Sequence, residues 1–122
     1  VSQYFNYGQG SEQQYHLISA ASTNATVVSA KAGQVFSVQA FNTNASARYL
    51  KFYDKATAPA VGTDAPCKVI LVPGGSAGAG VAVALGGVSF QNGISFATTT
   101  GAADNDTSAV GSADLIINID WK

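Results

Sequence analysis

Apolar side chains recur at every second position along much of this chain, and that period leaves little room for anything but β-structure. Over residues 34–42, Phe36, Val38 and Ala40 share one face while Ser37 and Gln39 take the other, the pattern of a half-buried strand. Residues 47–54 set Leu50 and Phe52 against Tyr49, Lys51 and Tyr53. Residues 113–121 set Leu115, Ile117 and Ile119 against Asp114, Ile116, Asn118 and Asp120. Residues 14–20 place Tyr15, Leu17 and Ser19 opposite His16 and Ile18, and shorter apolar runs cover 25–30, 67–72, 81–85, 88–90 and 94–99. No segment carries three turns of an apolar stripe at helical spacing.

Turn signals separate these runs. Lys31-Ala32-Gly33 and Pro73-Gly74-Gly75 read as tight turns, and residues 42–46 as a polar one. Residues 55–66 and 100–112 form long loops, and Gln91-Asn92-Gly93 contains the Asn-Gly pair that favours hairpins. About eight short strands at regular intervals predict an all-β, single-domain antiparallel β-sandwich or jelly roll. That domain spans residues 13–122. Residues 1–12 precede it as an extended N-terminal arm, whose Tyr4, Phe5 and Tyr7 point to docking against the domain or a neighbour, since disordered tails are usually poor in aromatics.

A length of 122 residues suits one domain with a core of its own. Charged residues are only 11% of the chain, against about 25% in an ordinary domain, so part of its polar surface is expected to be covered by partners. The six basic residues are dispersed apart from a mild cluster at 48–55, and the net charge is −1. A nucleic-acid partner is therefore not expected, for want of a basic stripe to meet phosphates. No apolar run approaches the roughly 20 residues that span a bilayer, and the polar N-terminus lacks the basic and apolar regions of a signal peptide. A membrane partner is not expected either.

Chemistry-bearing residues are sparse. His16 is the only histidine and has no companion nucleophile pattern, so a structural role mid-strand is expected. Cys67, the only cysteine, precedes an apolar run and reads as a buried thiol. Asp104-Asn105-Asp106 is the most suggestive acidic cluster, yet it lacks the glycine and glutamate of a calcium loop, leaving Asp104 and Asp106 as weak metal candidates. Asx-rich turns also arise from local hydrogen bonding alone. The expectation is no catalytic set, no metal and no cofactor.

Residues 41–75 (FNTNASARYLKFYDKATAPAVGTDAPCKVILVPGG) resemble small virion structural proteins of tailed bacteriophages. In those proteins a strand of the form N-T-small-A-x-R-Y-(L/V)-K-(F/L)-Y precedes a loop like A-x-x-P-x-V-G-T-D-x-P, a hydrophobic strand and a Pro-Gly-Gly turn. Residues 93–109 (GISFATTTGAADNDTSA) are similar to the family's G-(I/L)-x-(F/Y)-x-x-T-x-G-x-x-D-x-D-x-(S/T) pattern, and the closing strand ending in Trp121-Lys122 is similar too. Together they cover roughly half of the chain.

The resemblance implies a virion component, with capsid cement or decoration as the leading role. Such a protein would bind the major capsid protein on the outer face of the shell, as a homotrimer. Tyr4, Phe5 and Tyr7 of the arm, with Tyr49, Lys51 and Tyr53 on the mixed aromatic face, are the expected contacts. That second face could equally be packed inside the sandwich. The alternatives are a tail, fibre or host-receptor-binding module, and a carbohydrate-binding sandwich in which exposed aromatics stack on sugars.

Overall fold

The computed structural model describes residues 13–75 and 78–122. Eight strands follow one another: β1 (Gln13–Ile18), β2 (Thr26–Ser29), β3 (Gly33–Asn42), β4 (Arg48–Asp54), β5 (Lys68–Val72), β6 (Gly80–Phe90), β7 (Ile94–Thr99) and β8 (Leu115–Trp121). The residues of the expected arm, Tyr4, Phe5 and Tyr7 among them, lie outside the described residues.

The strands form two four-stranded antiparallel sheets. Sheet A has the order β1-β8-β3-β6 and sheet B the order β2-β7-β4-β5. β1 pairs with β8, β2 with β7, β3 with β6 and β4 with β5. That nesting is one long hairpin rolled into a sandwich, the jelly-roll arrangement. The inner faces meet in one core: Val38, Leu50, Phe52, Phe96, Leu115, Ile117 and Ile119 are all fully buried. Complete burial of one such side chain contributes about 1.5–3 kcal/mol. Tyr15 meets Phe96 edge-on with ring centres 5.8 Å apart, tying edge strand β1 to the opposite sheet.

Three local expectations need correction. The β3 register shifts between Val35 and Ser37, so Val35 rather than Phe36 enters the core. β6 runs unbroken from Gly80 to Phe90, because Gly86 and Gly87 take positive φ values (69° and 95°) inside the strand instead of ending it. The bulge sets residues 85–87 against Phe36 alone, bending the strand while its pairing with β3 resumes on either side.

The Asn92-Gly93 turn does not make a hairpin. β6 pairs with β3, whereas β7 pairs with β2 and β4, so the turn crosses from one sheet to the other. Asp54 captures it, accepting backbone N–H bonds from Gln91 at 3.1 Å, Asn92 at 2.8 Å and Gly93 at 3.4 Å. Those bonds, led by the one from Asn92, hold the Asp54 carboxyl below the ordinary carboxylate value.

Candidate functional site

The two outer faces of the sandwich differ. On sheet B, alternation places Tyr49, Lys51 and Tyr53 away from the core, as expected. They do not form a contact surface, however. Lys51 and Tyr53 are fully buried and Tyr49 is partly so. Two loops cover them, residues 55–66 and 100–109.

Lys51 Nζ reaches up to donate to the Ala103 carbonyl oxygen at 2.5 Å. Burial lowers its pKa, and the nearby Asp106 and Asp104 pull it partway back. The loops also touch each other. A Cβ placed on Gly62, whose φ is 93°, would stand 2.5 Å from the Thr107 methyl. Tyr53 ends in a buried hydroxyl without a hydrogen-bond partner among the described residues.

Asp104 and Asp106 sit on the second of these loops, where Asp106 accepts from the Ser108 backbone N–H at 2.9 Å and from the Ser108 hydroxyl. Its pKa is held down first by the Ser108 hydroxyl, then by the Ser108 N–H, with Lys51 adding attraction. Its role is loop scaffolding. Among the described residues, no group of three or more His, Cys, Asp or Glu side chains is placed to hold a metal ion.

The motif residues at 42–48 also build scaffold. Asn42 is buried and donates to the carbonyls of Ser46 and Val72 at 2.9 and 3.1 Å, while its Oδ1 accepts from Asn44 N–H at 2.8 Å. Arg48 Nε donates to Asp114 Oδ2 at 3.0 Å, and the same oxygen accepts from Gly111 N–H at 2.8 Å. Comparison with protein-family models, with curated proteins and with solved structures found no match for the chain. Its surfaces must therefore speak for its function.

Among the described residues, two surfaces expose large apolar side chains. The first is the rim of sheet B at β5. This strand ends the sheet order, so its outer backbone edge has no strand partner among the described residues. Ile70 and Val72 turn into the core, and Val69 and Leu71 point outward with 39% and 51% of their surface exposed. The alternation within an apolar run was the available signal for this. Read as one apolar block, the run hides it. Cys67, expected to be buried, is exposed at the foot of the strand.

The second is the outer face of sheet A. The register aligns its side chains in rows across the four strands. Gln14, Asp120, Ser37 and Ala84 make one row, His16, Asn118, Gln39 and Ala82 the next, and Ile18, Ile116, Phe41 and Gly80 the third. His16 Nδ1 donates to Asn118 Oδ1 at 2.7 Å, and the Ser37 hydroxyl donates to Asp120. Ile18 and Phe41 are 55% and 46% exposed. His16 thus has a surface hydrogen-bonding role on this face.

Proposed function

We propose that this chain is a structural protein of a tailed-bacteriophage virion, a cement or decoration protein that binds the outer face of the major capsid shell as a homotrimer and acts by binding, not by catalysis. The observation that carries this reading is the β5 rim. An unpaired strand edge with outward Val69 and Leu71 offers both backbone groups and apolar area to a strand from another chain. Adding such a strand satisfies the free N–H and C=O groups and covers both side chains together. The edge is five residues long and closes with Lys68 at one end and Pro73 just past the other. Short edges bounded by Lys and Pro resist open-ended aggregation, which suits docking to a defined partner.

The sparse charge supports the same reading, because a chain with only 11% charged residues has fewer charges to keep its surface in water than an ordinary one. A protein that binds only the assembled lattice stabilises it by mass action, and threefold positions of a symmetric shell seat a closed trimer. Arg48, Lys51 and Gly62, in the segment that resembles the virion proteins, belong to the scaffold around sheet B. The resemblance therefore bears on architecture, and the rim bears on attachment.

Copy number in the particle that carries the chain, measured by gel densitometry, tests the proposal. Roughly hundreds of copies are expected for a shell-wide cement. About a dozen or fewer, at the tail, overturns it in favour of a tail or fibre module. Val69→Lys with Leu71→Lys is expected to abolish incorporation while changing the chain's own stability by no more than about 0.5 kcal/mol, as exposed substitutions do.

A further inference from the structure

We propose that the open outer face of sheet A binds a neutral, polyhydroxylated glycan, with Gln14, His16, Gln39, Asn118 and Asp120 as its hydrogen-bonding lining and Phe41 as its stacking platform. The register puts these groups on adjacent strands in neighbouring rows. Strand spacing then sets polar tips about 4.8 Å apart across the sheet and about 6.8 Å apart along it. The five polar side chains line a polar depression of about 610 Å³. A second depression continues past Gln39 to Phe41, floored by Gly80 and Ala82.

The chemistry of the lining selects the ligand. Gln14, Gln39 and Asn118 each present a carbonyl acceptor and an amino donor, and a sugar hydroxyl is itself both donor and acceptor. Asp120 adds acceptors and His16 a ring nitrogen. No lysine or arginine lines the depression, and Asp120 supplies negative charge. A phosphate or sulfate ligand would meet repulsion with no compensating cation. A protein partner would want an apolar centre ringed by polar groups, and this face has the reverse, a polar centre with its apolar row at one end.

β6 explains why the site is open. Opposite Ser37, Gln39 and Phe41 it places Ala84, Ala82 and Gly80, so the ladder is flanked by a trough of small residues. Gly80, directly across from Phe41, raises no side chain beside the ring. Phe41 is left 46% exposed at the end of the polar rows, where a sugar ring can lie on its face while its hydroxyls reach Gln39. Trp121, the only tryptophan, packs against the core margin and takes no part.

Affinity electrophoresis of the full chain tests this, through gels holding an α-glucan, a β-glucan, a xylan, a mannan or a galactan, with dextran sulfate as the anionic control. At least one neutral polymer is expected to retard the chain. Gln39→Ala and Phe41→Ala are each expected to weaken the retardation about tenfold, the equivalent of about 1.4 kcal/mol, with unchanged melting temperature. No retardation by any neutral polymer overturns the proposal, as does retardation by dextran sulfate alone or retardation that both variants leave intact. The β5 pair Val69→Lys and Leu71→Lys should not alter glycan retardation, so this proposal and the attachment proposal can fail separately.

Discussion

Lys51, at the centre of β4, donates its ammonium to the carbonyl oxygen of Ala103 at 2.5 Å. A strand residue facing away from the core is thereby tied to a loop that follows three strands later, and the outer face of sheet B is closed over β4. Lys51→Met keeps the packing of the stem but removes this charge-assisted bond, which is worth about 1.5–3 kcal/mol. Part of that loss is returned because a buried charge no longer has to be desolvated. The expected outcome is faster amide exchange and proteolysis over residues 101–108, with the protection of β7 and β8 unchanged. Uniform loss of protection across the core would contradict this account.

Tyr53 lies under the same loops with an unpartnered hydroxyl. An unsatisfied buried polar group costs about 1–3 kcal/mol, so Tyr53→Phe should raise stability by about 1 kcal/mol in urea titration. Burial, then Asp64 and Asp104, push the phenol above its ordinary value of 10.0. A raised folded pKa gives stability that is complete below the unfolded value and lost as pH climbs through the folded one. The variant should therefore lack that alkaline loss. A destabilised Tyr53→Phe would mean the hydroxyl makes a bond that matters.

Arg48 and Asp114 form an ion pair at 3.0 Å with side chains only 12% and 11% exposed. Burial opposes ionisation of Asp114, but the Gly111 N–H, Arg48 and Asn44 outweigh it and hold the carboxyl below its ordinary 3.8. A depressed folded pKa supplies stability above the unfolded value, which disappears as pH falls through the folded one. Stability should thus decline below about pH 4, and Asp114→Asn should flatten that decline. At neutral pH, Arg48→Met leaves the buried carboxylate with its Gly111 and Asn44 hydrogen bonds but no counter-ion, and should cost about 3 kcal/mol. Denaturant melts at pH 7 and pH 3 check both statements.

Gly62 combines a φ of 93° with a Cβ direction aimed at the Thr107 methyl. Gly62→Ala should destabilise by about 1–3 kcal/mol, through backbone strain and the clash together. Adding Thr107→Ala should restore only the steric share. Full recovery in the double variant would show that the backbone conformation carries no cost.

Much of the fold was legible because facing is local. Period-two alternation assigned Leu50 and Phe52, and Leu115, Ile117 and Ile119, to the core, where the structure has them. The failures came where a distant partner decided the outcome. Phe36 yielded its core place to Val35 through a bulge set by pairing with β6 and β8. The Asn92-Gly93 pair turns between sheets because Asp54, far back in the chain, holds its amides. Lys51 and Tyr53 point outward as their parity requires, yet loops close over them.

The amino-acid order alone settled the all-β class and, away from the β3 bulge, which side chains face the core, because side-chain parity along an extended backbone depends only on the neighbours in the chain. Which face stays open was decided in three dimensions. Loops 55–66 and 100–109 meet at Gly62 and Thr107 over sheet B, whereas among the described residues no loop closes over Gln39 and Phe41 on sheet A. Loop position depends on contacts between segments far apart in the chain, and no local pattern records those contacts.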